Sequence, residues 1–388
     1  MSQHSADDQY LHRALELARA GIALASPNPY VGALIADTQG NLVGSGTYTY
    51  AGLKHAEILA LEAAGPRARG GTLYINLEPH AHQGRTPPCA DALIAAGIKR
   101  VVASMLDPNP KVSGRGFEQL RAAGIQVEVG GMEEAARALN EAFARYIRHA
   151  MPLVTLKAAM TLDGKIAPPP AEALSKAEGI PAGGWITSEV ARAHVQELRH
   201  QHDALLVGVG TVLTDNPLLT DRSGCARRRP LLRVILDSRL RLPLASRLVQ
   251  DAAKHRQSDV LVFCSTADEE KHTRLEELGI RVEKVPVLEL DGRPDLPAIF
   301  RRLGQLEITS LMIEGGATVN WAALAANVVD KVFLYYAPKI LAGTGSIPFA
   351  SGAGFHHMGQ AAQVKNVHLH RFGEDFAVEG YLRDPYEE

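Results

Sequence analysis

The chain has 388 residues, of which 46% are hydrophobic and 22% are charged, and its formal net charge is -2. This length predicts two or three domains, and the composition is typical of a globular protein with full hydrophobic cores. The charge excludes proteins that bind nucleic acid or anionic membranes by charge alone, so we expect a small-molecule substrate. Three cysteines (Cys89, Cys225 and Cys264), a polar beginning and the absence of an apolar run of about 18 residues predict a cytoplasmic protein without disulfides or a membrane span.

The first 150 residues alternate helical and strand patterns, which predicts an α/β sandwich. The predicted helices cover residues 8–21, 55–64, 87–97, 113–123 and 133–148, and the predicted strands cover residues 31–36, 42–46, 72–77, 100–104 and 125–129. Glycines mark two of the helix ends, at Gly65 and Gly97. A boundary is predicted at Met151-Pro152, which divides the chain into domains 1–150 and 151–388.

The second domain restarts with short β-rich runs separated by helical patterns, which predicts a mostly parallel sheet. The predicted strands cover residues 153–159, 204–207, 233–236, 260–263, 311–313 and 331–336, with helices at 188–200 and 319–326. Residues 168–184 are rich in proline, alanine and glycine, and residues 223–229 are polar and basic. Both segments are therefore predicted to be irregular loops.

Four residues in the first domain form a nearly complete zinc deaminase pattern. That pattern is H-x-E followed by a P-C…C pair, in which one histidine and two cysteines hold Zn²⁺ while the glutamate carries protons. Here His55 and Glu57 supply the first part and Cys89 the last cysteine. His80 stands where the pattern has its first cysteine, so His55, His80 and Cys89 would make three ligands.

Deamination chemistry explains why these residue types are needed. Zinc with three protein ligands and an open position lowers the pKa of bound water to about 7. Residues i and i+2 do not face one another on a helix, so Glu57 suits a base better than a further ligand beside His55. Cys89 is expected at a helix start, where the helix dipole favours the thiolate.

Each of these residues also has an ordinary structural interpretation. His55 or His82 alone would more often be a capping or surface histidine, Cys89 a small core residue, and Glu57 a solvated helix charge. Their joint occurrence, in order and after the proline-rich segment 27–32, is hard to explain structurally. The combination therefore favours a metal site.

Longer motifs extend the pattern through nearly the whole chain. They are P-N-P-x-V-G (27–32), G-x-x-H-A-E (52–57), L-E-P-x-x-H-x-G-R-T-P-P-C (77–89), D-P-N-P-x-V-x-G-R-G (107–116), L-K-x-A-x-T-L-D-G-K (156–165), W-I-T (185–187), G-V-G-T-V-x-x-D-N-P-x-L-T-x-R (208–222) and E-G-G-A-T (314–318). On these motifs the chain resembles the bifunctional riboflavin biosynthesis enzymes that couple a pyrimidine deaminase to a reductase.

The resemblance implies a cytidine-deaminase-like α/β/α sandwich followed by a dihydrofolate-reductase-like α/β domain. It implies zinc-dependent deamination of 2,5-diamino-6-(5-phosphoribosylamino)pyrimidin-4(3H)-one, and then NADPH reduction of the ribosyl group to ribityl. It also implies self-association into a dimer or tetramer.

Carried over by position, the family's zinc ligands are His55, His80 and Cys89, and its proton carrier is Glu57. The implied nucleotide contacts are Ala159, Trp185, Thr211, Asp215, Ser238, Gly316, Ala317, Thr318, Val319, Asn320, Trp321 and Ala322. The implied substrate contacts are Gly183, Arg199, Leu219, Arg222 and Glu314, and Lys157 and Asp163 flank the same pocket.

Two parts of this assignment have a physical basis in the residues themselves. Residues 314–318 follow a predicted strand and open a helix, so that free backbone N–H groups are available for a pyrophosphate, although a glycine pair is by itself more often a tight turn. Arg199 and Arg222 have the side-chain geometry to bind the substrate phosphate bidentately, against the alternative of ordinary surface arginines.

Two departures from the family pattern affect these expectations. His80 replaces a thiolate by a neutral ligand, so the zinc site would carry net +1 and retain metal less strongly. His82 could compete as a ligand, although the family has a histidine there in addition to its metal cysteine. The loop at 167–184 is longer and richer in proline than the family's, which affects the reductase substrate pocket.

Three other functions remain open on the sequence. One is a single-activity enzyme in which either the His80 change or the altered 167–184 loop has silenced one half. A second is a non-catalytic, zinc-stabilised nucleotide-binding module, against which Glu57 argues because a structural zinc needs no adjacent base. A third is a nucleic-acid deaminase, which the near-neutral charge disfavours.

Overall fold

The computed structural model describes residues 3–81, 88–169, 184–255, 259–287 and 294–387. The chain forms two compact units. The first contains the residues up to Ala150 together with Ala226–Arg229, and the second contains Met151–Cys225 and Pro230–Glu387. None of the described helices combines the length and the apolar character needed to span a bilayer.

The first unit is a five-stranded sheet with helices on both faces. Its strands are β1 (Gly32–Ala36), β2 (Leu42–Thr47), β3 (Thr72–Ile75), β4 (Arg100–Ala103) and β5 (Gln126–Val129), in the order β2-β1-β3-β4-β5. Its helices are α1 (Gln3–Arg19), α2 (Ala56–Ala64), α3 (Cys89–Ala96), α4 (Arg115–Ala122) and α5 (Glu133–His149). β2, β1 and β3 pair antiparallel, whereas β3, β4 and β5 pair parallel.

Alternating side chains of this sheet form two cores. One strand face packs against α2, α3 and α4 around Ile35, Ile75 and Phe117, and the opposite face packs against α1 around Leu11 and Leu34. This period-2 alternation places apolar groups on both sides of the sheet. The predicted α/β/α sandwich is confirmed.

Two glycines bring α2 unusually close to β2. A Cβ atom on Gly44 would lie 2.2 Å from the carbonyl oxygen of Ala60, and one on Gly46 would lie 2.2 Å from that of Ala56. No residue with a side chain fits in this space without a backbone shift. The glycines therefore allow α2 to lie directly against β2 along its length.

We expect Gly46→Ala to lower the free energy of unfolding by about 3 kcal/mol, near the upper end for overpacked interiors. The physical reason is the clash with the Ala56 carbonyl, which is backbone and cannot rotate away. Urea denaturation of the purified protein measures the change. Gly52→Ala is the matched control, because nothing lies within 4 Å of a Cβ at that position; equal effects of the two substitutions would contradict the packing argument.

The second unit is built on a nine-stranded sheet. Its strands are β6 (Leu153–Thr161), β8 (Ala204–Gly208), β9 (Leu232–Leu236), β10 (Val260–Cys264), β11 (Arg281–Lys284), β12 (Ser310–Ile313), β13 (Lys331–Ala337), β15 (Lys365–Phe372) and β16 (Asp375–Tyr381). Their order is β11-β10-β9-β8-β12-β6-β13-β16-β15. Short strands β7 (Lys165–Ala167) and β14 (Ile347–Pro348) pair with each other.

In the described part of this nine-stranded sheet, all pairings from β11 to β13 are parallel, whereas β13 pairs with β16 and β16 with β15 antiparallel. The expectation of a mostly parallel sheet is therefore confirmed. The helices are α6 (Glu189–Gln201), α7 (Val209–Asp215), α8 (Arg247–His255), α9 (Glu269–Glu277), α10 (Leu296–Gln305) and α11 (Ala317–Ala325). α6 to α9 cover one face of the sheet, and α10 and α11 cover the other.

Candidate active sites

Three short segments bring the predicted metal ligands of the first unit together. His55 is the N-cap residue of α2, and Cys89 is the first residue of α3, preceded by Pro88 as N-cap. His80 lies in the segment that follows β3, and its carbonyl oxygen accepts a hydrogen bond of 3.3 Å from the Ala90 backbone N–H. Both helix starts therefore face the segment that carries His80.

The four side chains form one cluster. Potential ligand atoms of His55, Glu57, His80 and Cys89 all lie within 4.8 Å of one another. The Sγ atom of Cys89 is 3.3 Å from Nδ1 of His55, and the rings of His55 and His80 have centroids 4.4 Å apart. Two imidazoles and a thiol match the nitrogen and sulfur ligands of catalytic zinc, which has three protein ligands and an open position. The residues present therefore fit zinc.

Glu57 and Cys89 are both shielded from solvent. Burial raises the pKa of Glu57 to about 7, although hydrogen bonds from its own backbone N–H and from Cys89 act in the opposite direction. Burial, together with the carboxylate of Glu57, also raises the pKa of the Cys89 thiol. A carboxyl group that titrates near neutral pH is suited to accept a proton and release it in the same reaction cycle.

The buried carboxylate of Glu78, two residues before His80, is hydrogen-bonded to backbone N–H groups of a later segment. Glu78 is only 4% exposed and accepts backbone N–H bonds from Asp107 (3.0 Å), Gly114 (2.9 Å) and Gly116 (2.8 Å). A Cβ on Gly116 would lie 1.9 Å from the Pro79 carbonyl oxygen, so only glycine allows this approach. Both segments belong to motifs recognised in the sequence, but no role was predicted for Glu78; a glutamate two residues before a predicted ligand was the available signal.

The segment 27–32 is connected by hydrogen bonds to residues next to the predicted zinc ligands. Asn76 donates to the Tyr30 carbonyl oxygen and accepts from the Gly32 N–H, at 2.9 Å in both cases. Asn28 donates from Nδ2 to the Tyr48 hydroxyl, and the Tyr48 ring meets the His55 ring edge-on with centroids 5.5 Å apart. Tyr48 therefore connects residues 27–32 to the cluster of predicted zinc ligands.

His80→Cys is expected to increase zinc retention, because a thiolate is a softer and negatively charged ligand. We expect about tenfold slower zinc loss to a chelator, measured by a colorimetric zinc dye. His12→Cys is the control, since this side chain is 57% exposed and adds a thiol away from the cluster. If the natural protein bound no zinc while the His80→Cys variant did, the deaminase half of the natural protein would be degenerate.

The second unit contains a cavity of about 1620 Å³. It lies at the carboxyl ends of β6, β8, β9 and β12, which are neighbours in a parallel arrangement. Ligands of open α/β sheets bind at this edge. The predicted site residues that line the cavity are Ala159, Trp185, Thr211, Asp215, Ser238, Gly316, Ala317, Thr318, Val319, Ala322, Arg199, Arg222 and Glu314.

Other predicted contacts lie elsewhere. Asn320 is buried and donates to the Phe349 carbonyl oxygen at 2.7 Å, and Trp321 packs edge-on against Phe355. Leu219 is 5% exposed and belongs to the hydrophobic core. These three do not line the described part of the cavity. Gly183 and most of the 167–184 loop, as well as His82, lie outside the described residues.

An ion cluster forms one wall of the cavity. The Glu314 carboxylate accepts two bonds from Arg199, at 2.7 Å from Nε and 3.1 Å from Nη2, and lies 3.5 Å from the Lys157 ammonium. Burial alone would raise the pKa of Glu314, but Arg199 and Lys157 together lower it to about 2. Arg199 also donates to the Thr220 carbonyl oxygen. The guanidinium expected to bind phosphate is therefore engaged by Glu314.

The side chains of Lys339 and Asp163 hold backbone segments that line this cavity. The Lys339 ammonium donates to the carbonyl oxygens of Trp185 (3.1 Å) and Ile186 (2.7 Å). Asp163 accepts backbone N–H bonds from Leu341 and Ala342. The W-I-T motif is thus fixed by a lysine more than 150 positions later, which no local pattern signals.

The predicted glycine turn opens α11. Gly316 is the N-cap residue, and a Cβ on Gly315 would lie 2.7 Å from side-chain atoms of Val319. Nothing lies within 4 Å of a Cβ at Gly316, so the turn presents open backbone to the cavity. The first N–H groups of a helix lack partners within it and favour an anion such as a pyrophosphate.

Comparisons with known proteins cover both units. A family model described as the cytidine and deoxycytidylate deaminase zinc-binding region matches residues 4–105, and one described as the RibD C-terminal domain matches residues 152–378. The riboflavin biosynthesis protein RibD of Synechocystis is 42% identical over 378 residues, which cover 97% of this chain and 96% of the relative. That of Actinobacillus pleuropneumoniae is 39% identical over 379 residues, with 98% and 96% covered.

Solved structures give the same result. The structure of Acinetobacter baumannii RibD superposes with a TM-score of 0.82 at 34% identity, covering 98% of this chain and 99% of the other. A Thermotoga maritima structure described as a diaminohydroxyphosphoribosylaminopyrimidine deaminase/5-amino-6-(5-phosphoribosylamino)uracil reductase gives 0.79 at 35% identity, covering 97% and 99%.

The fold, the donor cluster and the cavity define a bifunctional enzyme with a zinc-binding deaminase region and a reductase domain. Its relatives match it over nearly their full length. The chain belongs to the RibD family of riboflavin biosynthesis proteins.

Proposed function

We propose that residues 1–150 deaminate 2,5-diamino-6-(5-phosphoribosylamino)pyrimidin-4(3H)-one, and that residues 151–388 then reduce its ribosyl group to ribityl with NADPH. The observation that carries the deaminase half is the convergence of His55, Glu57, His80 and Cys89 within 4.8 Å. The names of the family's relatives support the substrate, and the cavity at the sheet edge supports a second reaction.

In the deaminase, His55, His80 and Cys89 would hold zinc, which supplies the Lewis acidity that makes water a nucleophile near neutral pH. Glu57 accepts the proton of that water and delivers protons to the ring nitrogen and to the departing ammonia. Because burial raises its pKa to about 7, Glu57 can both accept and release a proton near neutral pH. The shielded site also excludes bulk water from the reacting ring.

In the reductase, NADPH would supply a hydride to the sugar carbon that carries the pyrimidine nitrogen. The α11 start and other residues that line the cavity bind the dinucleotide, with Ala159, Trp185, Thr211, Asp215 and Ser238 among them. Glu314 stays ionised and accepts hydrogen bonds from substrate hydroxyls while it holds Lys157 beside the opened sugar.

With Arg199 engaged by Glu314, we assign the substrate phosphate chiefly to Arg222. Arg222 is exposed at the cavity wall, and its backbone N–H is bonded to Gln196 of α6. Asn320, Trp321, Leu219 and Gly183 remain predicted contacts through the family resemblance alone.

The test is a coupled assay in which the purified zinc-loaded protein receives the diaminopyrimidinone phosphate and NADPH. We expect one ammonia released and one NADPH oxidised per substrate. Ammonia without NADPH oxidation would identify a protein with only the deaminase. NADPH oxidation only with the already deaminated substrate would identify one with only the reductase. Neither product would overturn the proposal.

We also propose a cytoplasmic protein that acts on a small phosphorylated pyrimidine, self-associates and binds no nucleic acid. The three cysteines are free, which supports a reducing compartment. On β15, the edge strand of the large sheet, Val367 is 52% and Leu369 is 72% exposed, which supports association with a second copy.

A further inference from the structure

One face of helix α6 lies against the segment 220–222, which ends at the wall of the reductase cavity. Gln196, Arg199 and His200 are spaced i, i+3 and i+4, so their side chains leave the helix on the same side. Each of them contacts a different residue of the segment, at distances between hydrogen-bonding atoms of 2.9 to 3.1 Å. The helix therefore holds three successive residues of the segment at once.

Asp221 holds the backbone on both sides of Arg222. One oxygen of its carboxylate lies 3.0 Å from Nδ1 of His200, and the other accepts the Ser223 N–H at 2.9 Å. The Arg222 N–H itself is bonded to Gln196 at 3.1 Å. The side chains of His200 and Asp221 are only 13% and 6% exposed. Solvent weakens such a shielded contact less than an exposed one, and removal of either partner leaves a polar group without that bond.

The Arg222 side chain, in contrast to its backbone, is available to a ligand. It is exposed and lines the cavity. Within the described part of the chain, no carboxylate forms an ion pair with it, whereas Arg199 is bonded twice to Glu314. A guanidinium binds phosphate bidentately only in a narrow range of positions, so its effect depends on a backbone that is held in place.

We propose that His200 and Asp221 are positioning residues, whose contact fixes the backbone from which Arg222 reaches the 5-phosphate of the substrate. Neither residue lines the described part of the cavity, so both act through Arg222. This inference rests on the proposed reductase function and on the assignment of the phosphate to Arg222. It deepens them by naming the residues that give Arg222 its position.

The position of the phosphate determines which kinetic constant should change. The phosphate is attached at the far end of the sugar from the carbon that receives the hydride. A contact to such a remote group stabilises the bound substrate and the transition state alike, so its loss raises KM and leaves kcat unchanged. General damage to the cavity would instead lower kcat or raise the KM for NADPH as well.

The test measures kcat, the KM for the deaminated substrate and the KM for NADPH in the full-length protein. The variants are His200→Phe, which keeps a ring but removes Nδ1, Asp221→Ala, Arg222→Ala, and the double variant of His200→Phe with Arg222→Ala. Glu197→Gln is the matched control, because Glu197 is an exposed residue of the same helix that does not line the described part of the cavity.

We expect His200→Phe and Asp221→Ala each to raise the KM for the deaminated substrate about tenfold, since a hydrogen bond to a charged group is at stake. The kcat and the KM for NADPH should stay within about twofold, and Glu197→Gln should change none of the three constants. The double variant should bind substrate no more weakly than Arg222→Ala alone, because positioning residues have no effect once the residue that they position is gone.

Other results would overturn the inference, and they separate it from the proposed function. If Arg222→Ala raises the KM for substrate but His200→Phe and Asp221→Ala do not, Arg222 binds the phosphate without help from the pair. Additive effects in the double variant, or failure of both single variants to fold, would make the pair a purely structural contact. If Arg222→Ala leaves the KM unchanged, the phosphate assignment fails and the inference with it, and a natural protein that does not reduce the deaminated substrate would contradict the reductase function itself.

Discussion

Glu57→Gln is expected to lower the deamination rate by about three orders of magnitude while zinc content stays the same. General acid–base catalysis contributes about 10²–10⁴ in rate, and Glu57 is the buried carboxylate within reach of all three zinc donors. The amide keeps the shape of the side chain but cannot accept the proton of water. Ammonia release and zinc content of the same preparation measure the two effects separately.

Glu62→Gln provides the control for this experiment. Glu62 lies on the same helix, is 52% exposed and pairs with Lys54 at 2.7 Å. Its substitution should leave deamination close to the natural rate, because an exposed pair contributes little. Loss of zinc from Glu57→Gln would make Glu57 a ligand, and an unchanged deamination rate would remove its catalytic role altogether.

Glu314→Gln is expected to lower reductase kcat/KM by about two orders of magnitude and to leave ammonia release unchanged. The substitution removes a charged hydrogen-bond acceptor, worth about 1.5–3 kcal/mol, and leaves Lys157 and Arg199 together without their counter-ion. NADPH oxidation with the deaminated substrate measures the loss. Glu277→Gln, on the exposed side of α9, is the control.

The same carboxylate makes a pH-dependent contribution to stability. Its pKa is about 2 in the folded protein against an ordinary value of 4.5. A lowered pKa stabilises the fold above pH about 4.5, and the contribution disappears as the pH falls toward 2. Glu314→Gln should therefore flatten the acid side of the stability profile, followed by urea denaturation between pH 6 and pH 3. An acid limb as steep as that of the natural protein would contradict this.

The metal cluster was predictable because its residues lie within a 35-residue stretch and their chemical types are diagnostic. The role of Glu78 was not predictable, since its partners are backbone N–H groups from residues 107–117. A sequence does not show which backbone groups are hydrogen-bonded to a side chain. The predicted role of Arg199 as a phosphate ligand depended on its guanidinium not being paired with a carboxylate of the protein. Its engagement by Glu314 is a contact across 115 positions.

The secondary structure, like the candidate sites, was predicted only in part from the sequence. Strongly apolar parallel strands were identified, whereas the antiparallel pair β15 and β16 was missed because β15 is mostly exposed and lacks an apolar run. Helix α9 was missed for a related reason: its single buried residue is Leu275, which is too few to create a helical period. Pairing with a neighbouring strand, not a local apolar pattern, determines β15 and β16.

The Glu78 carboxylate has a consequence for how the protein is made. The zinc donors are all synthesised by Cys89, but the N–H groups that hold Glu78 arrive only with residues 107–117. A nascent chain that has just emerged as far as Cys89 therefore carries His55, His80 and Cys89 but lacks every backbone partner of Glu78. The hydrogen-bonded arrangement of Glu78 beside His80 can form only after residues 107–117 have been synthesised.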